Sequence, residues 1–175
     1  KHDFLHGFIK LKRNKNNEFD ISNSNYQAFL NIDSTSDTFL WERLKKKLKY
    51  YSNWPILHYG ETEVLSLCNI AKRNGCGKEE INSLKSRFID IHILLKKSWC
   101  LPTKDYGLKS VADWVGFSWS KQDVNGPRAL LWWRQWKISR KTQKYHSKNL
   151  KWIFEYNRDD CLATWAITNW LIKNQ

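Results

Sequence analysis

The 175-residue sequence has no methionine, not even an initiator, which leads to the expectation of a processed product or, in preference, a C-terminal fragment of something longer. It has no apolar run long enough to cross a membrane, and Lys1-His2-Asp3 opens no signal-peptide pattern. Its four cysteines, Cys68, Cys76, Cys100 and Cys161, form no Cys-x-x-Cys pair and have no histidine at zinc-finger spacing. That excludes a zinc ribbon and fits reduced thiols in a cytoplasmic protein. There is no internal repeat and no low-complexity tract. Acidic residues are few: 17 Asp and Glu against 30 Lys and Arg leave a net charge of +13. A nucleic-acid partner suits such a surface, although a Lys- and Asn-rich coding bias gives the same excess as plain solvated surface. Tryptophan, by contrast, is abundant, with 11 in the chain, so some must be partly exposed. With 41% hydrophobic residues, the length suits one domain, residues 1–175, with a full core.

The first half reads as strands followed by strand–helix alternation. A strand at Phe4–Leu11, a polar turn over 13–17, and strands near Phe19–Ile21 and Tyr26–Ile32 predict a three-stranded antiparallel meander. Ser36 is a good N-cap for a helix from Asp37 to Tyr51, with Phe39, Leu40, Leu44, Leu48 and Tyr51 as its apolar stripe. A short strand follows at 55–60, then a helix from Glu61 to Arg73 stopped at Asn74-Gly75. Residues 78–86 read as helix or loop, 87–90 return to the sheet, and 91–97 are helical. Leu101-Pro102 breaks that helix, and another runs from Tyr106 to Val115, with Gly116 as its stop. Arg128–Ile138 is helical and 139–147 a basic linker. This order predicts an α/β fold with a mixed sheet flanked by helices.

Leu150 to Leu171 is the longest periodic stretch, about six turns with no Pro or Gly. On a helical wheel Leu150, Ile153, Phe154, Asn157, Cys161, Thr164, Ile167 and Leu171 share one face. Asp160 falls within it, Tyr156 at its edge one turn earlier, and Asp159 points away. A carboxylate on a packing face requires a cation, a metal or strong donors. A buried Lys or Arg meets that need as well as a catalytic metal does.

Tyr156-x-x-x-Asp160 resembles the third motif of the DEDD exonucleases in their tyrosine variety. Glu155-Tyr-Asn-Arg-Asp-Asp-Cys-Leu-Ala-Thr164 and Tyr106-Gly-Leu-Lys-Ser-Val-Ala-Asp-Trp-Val-Gly-Phe117 look like the ribonuclease-H-like C-terminal domain of predicted RecB-family nucleases. The resemblance implies a ribonuclease-H-like fold, two Mg or Mn ions, and 3′–5′ exonucleolytic hydrolysis of DNA or RNA. On that alignment Asp160 and Glu63 are metal ligands and Tyr156 orients water, with His58 where relatives often have Asn. Glu61 and Glu63 equally suit a helix N-terminus, Asp90 the cap of the next helix, and Asp159 ranks below Asp160. The family's first motif, Asp-x-Glu on the central strand, is missing here. Phe19-Asp20-Ile21-Ser22 resembles it for three residues but lacks the Glu.

Two further features bear on nucleic acid. Trp132 and Trp136 share a helical face, with Trp133 beside Trp136; stacking on bases and core packing both account for them. Lys137, Arg140, Lys141, Lys144 and Lys148 track a phosphate backbone or lie on a solvated loop. The competing function is a nucleic-acid-binding module without catalysis.

Overall fold

The computed structural model describes residues 4–16, 18–32, 35–121, 124–141 and 147–174. Strand β1 (Leu5–Arg13) pairs antiparallel with β2 (Phe19–Leu30), from Leu5 opposite Leu30 to Arg13 opposite Phe19. The two runs read as separate second and third strands are one strand, because a register irregularity between Lys10 and Lys12 absorbs the polar stretch between them. The expected meander is therefore a long hairpin.

Helix α1 (Thr38–Tyr50) buries Leu40, Trp41 and Leu44 and leaves Phe39 exposed, so Trp41 replaces Phe39 in the expected stripe. Its N-cap is Asp37, one residue beyond Ser36, whose Oγ accepts from the Thr38 amide at 3.2 Å. The Asp37 carboxylate turns instead to Arg73 and, at 2.8 Å, to the Asn74 amide. It thereby ties the start of α1 to the end of α2 (Thr62–Arg73). Strand β3 (Ile56–His58) leads into α2 and runs parallel to β4 (Phe88–Asp90), with His58 opposite Asp90. Helix α3 (Lys78–Lys85) settles the ambiguity over that segment, and Gly75, at φ +82°, makes the turn before it.

Helix α4 (Ile91–Ser98) follows β4 directly. Helix α5 (Leu108–Trp114) starts later than expected, since Gly107 is its N-cap with an extended backbone and gives its amide to Asp105 Oδ1 at 2.8 Å. Gly116 ends it at φ +87°. Helix α6 (Gly126–Lys141) extends into the first third of the expected basic linker, and α7 (Ser147–Lys173) is the longest element.

Phe29, α1 and α2 enclose one core; Ile91, Leu95, Val111, Ala163 and Ile167 form a second where α4 and α5 meet α7. Trp133, Trp136 and Ile153 make a third, and Trp133 stacks on both Trp136 and Phe4, so these tryptophans are core.

Among the described residues the strands form two pairs, one antiparallel and one parallel, flanked by helices, and these pairs do not join into one sheet. This is the mixed α/β arrangement expected. Between β1 and β3 lies a cleft of about 990 Å³, and α7 packs against both strands. Gly7 lets β1 approach α7 closely, because any Cβ there collides with Asn157 Oδ1.

Candidate active site

Four elements bring polar groups to this cleft. From β3 comes His58 and from the first turn of α2 comes Glu63; from α7 come Asn157, Asp160 and Cys161; from β1 comes His6. His58 is buried, and its Nδ1 donates to the Gly60 carbonyl at 2.6 Å. Gly60 makes this turn at φ +86°.

Asp90 Oδ1 accepts from the amides of His92 at 2.9 Å, Ile93 at 3.3 Å and Gly60 at 3.2 Å. It caps α4 and fixes the turn before Glu63. Glu63 keeps an exposed side chain, yet the surrounding cleft walls raise its carboxyl above the ordinary value. His58 opposes that rise and Asp90 adds to it.

Asp160 is half-buried and accepts a hydrogen bond from Trp119 Nε1 at 2.9 Å. Burial pushes its carboxyl up to about 6; Trp119 and Lys109 oppose this, and the charges of Asp159 and Glu63 add to it. The Tyr156 phenol is pushed up to about 12, first by burial and then by the charge and hydrogen bond of Asp160. Asp160 and Glu63 thus line one cleft, and Asp160 feels the charge of Glu63. Tyr156 reaches the site through Asp160 and is not itself part of the cleft wall.

Asp159 requires correction. The wheel turned it to solvent, but it is among the most buried polar residues, 3% exposed. Its Oδ2 accepts from the Ser120 amide at 2.8 Å and its Oδ1 pairs with Arg158 at 3.1 Å. A single apolar face was the wrong picture for α7, because strands cover one side and α5 with residues 117–121 another. The acid on this second buried face is neutralised within the chain.

Other expected groups fall differently. Lys137 lies 5.9 Å from the Trp133 ring centroid, over the third core. The backbones of Arg140 and Lys141 are in α6, correcting the expected linker, and their side chains and all of Lys144 lie outside what is described. Among the described residues no three His, Cys, Asp or Glu side chains form a metal-holding group.

Several site residues escaped sequence reasoning. Trp119 is 41 positions from Asp160, and Tyr26, whose hydroxyl donates to Asn157 Oδ1 at 2.8 Å, is 131 positions from its partner. Only the Tyr106–Phe117 resemblance pointed near Lys109.

The RNase H superfamily profile matches residues 1–172. The chain belongs to the RNase H superfamily. Neither curated proteins nor solved structures provide a match. Membership in the superfamily points to nuclease-type chemistry on nucleic acid, and it agrees with the small sheets flanked by helices. No helix among the described residues is long and apolar enough to cross a membrane.

Proposed function

We propose that this RNase H superfamily domain is a metal-dependent nuclease of the DEDD tyrosine type, acting as a 3′–5′ exonuclease. The observation that carries the reading is the pairing of Asp160 and Glu63 in one cleft, both holding their protons above the ordinary carboxylate range. Two such carboxylates with no Lys or Arg paired to either among the described residues fit a hard divalent cation. They supply only part of its coordination.

The cleft between β1 and β3 takes, in this reading, a further strand bearing the remaining carboxylates, as the DEDD resemblance requires. Bound Mg or Mn would supply an activated water and stabilise the leaving oxygen. The chain's own contribution is to hold the ions through Asp160 and Glu63 and to keep Asp160 oriented by Trp119. Tyr156, protonated at neutral pH, presents a hydroxyl beside Asp160 that orients the attacking water.

Manganese binding followed by electron paramagnetic resonance tests the site. The account expects weak binding by the 175-residue chain, lost in both Asp160→Asn and Glu63→Gln. Binding of equal strength in all three proteins, or none in the wild type, overturns the assignment.

A further inference from the structure

Lys109, in the first turn of α5, extends toward the acidic site without being neutralised there. Its ammonium lies 5.6 Å from the Trp119 ring centroid and 5.7 Å from that of Tyr156. These are the aromatic rings that hydrogen-bond Asp160, and both distances fall within cation–π range. One ammonium hydrogen is used by the Val124 carbonyl.

Among the described residues no carboxylate pairs with Lys109, not even Asp113 one turn on along α5. An ammonium has three donors, so two remain. The residue itself is exposed, which leaves those donors open to a ligand. Two aromatic rings and one main-chain carbonyl therefore fix a positive charge at the edge of a carboxylate site. For a residue whose only task was to brace Val124, the aromatic seat beside Asp160 would be incidental.

We propose that Lys109 is a substrate contact, binding a phosphate of the nucleic-acid strand whose neighbouring linkage lies at Asp160 and Glu63. The proposal rests on the nuclease reading of that cleft and adds a specific anchor to it. A carboxylate site repels a polyanion, and a fixed cation on its rim offsets that repulsion at one defined phosphate. Lysine suits the task as a point charge with free donors.

The test uses the wild-type chain and a fluorescein-labelled 15-nucleotide oligo(dT), without added metal. Anisotropy should report binding that weakens with salt. Lys109→Gln should lower affinity about 5-fold at low salt and reduce the magnitude of the log–log salt slope by about 0.7, the value for one single-strand phosphate contact. Lys109→Arg should retain both.

Lysine acetylation footprinting on the wild type supplies a second readout that no folding defect can mimic: oligo(dT) should protect Lys109. Binding by the wild type with Lys109 unprotected, or a Lys109→Gln slope equal to the wild type's, overturns the proposal and leaves the nuclease reading standing. Absence of binding at low salt overturns both.

Discussion

Asp159 and Asp160 are neighbours on one helix and have opposite circumstances. Asp159 spends its charge inside the fold, on the Ser120 amide and the Arg158 guanidinium. Asp160 has only neutral donors among the described residues, Trp119 and Tyr156, and shares its cleft with a second acid. The first arrangement offsets the cost of burying a carboxylate; the second leaves part of that cost standing. Unrelieved charge repulsion in a cleft marks a place where a ligand completes the electrostatics. The contrast separates an acid that stabilises the fold from one that, in the proposed reading, holds a cation.

The strongest way to break the contrast is Asp160→Asn. On the proposed nuclease reading it should abolish hydrolysis of nucleic acid. Its folding stability at pH 7.5 should nevertheless rise by about 1 kcal/mol, after allowance for partial exposure, or about 2–4 °C in Tm. The amide oxygen still accepts from Trp119. A loss of stability in a melting experiment would place Asp160 with Asp159 instead.

Asp159→Ala should do the reverse. It strands Arg158 and the Ser120 amide, and should cost about 3 kcal/mol in a urea titration. A change under 0.5 kcal/mol would return Asp159 to the solvent face that the wheel assigned.

Gly7→Ala comes next in size. Its methyl meets Asn157 Oδ1 and the Tyr26 ring, so β1 must shift from α7 at a cost of about 1–3 kcal/mol. Unchanged stability would mean that the strand–helix approach is looser than described.

The smallest expected effect is on pH dependence. Asp160 titrates near 6 when folded and near an ordinary carboxylate value of about 3.9 when unfolded. The folded state thus holds the proton longer, and this residue's contribution to stability falls as pH rises from about 4 to about 6. The difference in stability between wild type and Asp160→Asn should grow over that window and stay flat above it.

The sequence made the helices legible where periodicity and stop signals coincided, as at Asn74-Gly75 and Gly116. It also placed Asp160 on a buried face of α7. It misread Asp159 because a helical wheel assumes one packing partner, and α7 has several. It divided β2 in two because a polar stretch inside a long hairpin strand looks like a turn. Trp119 and Lys109 were invisible as site residues, since nothing local ties an indole 41 positions away to an aspartate. Glu63 entered only through family alignment; at the start of α2 its carboxylate carries no signal beyond that of an ordinary helix N-terminus.

Carbon-13 NMR titration of the Asp160 carboxyl tests the central claim most directly. The account predicts a midpoint of about 6 that moves down in Glu63→Gln, because Glu63 contributes part of the rise. A midpoint in the ordinary range near 3.9, indifferent to Glu63→Gln, would contradict it.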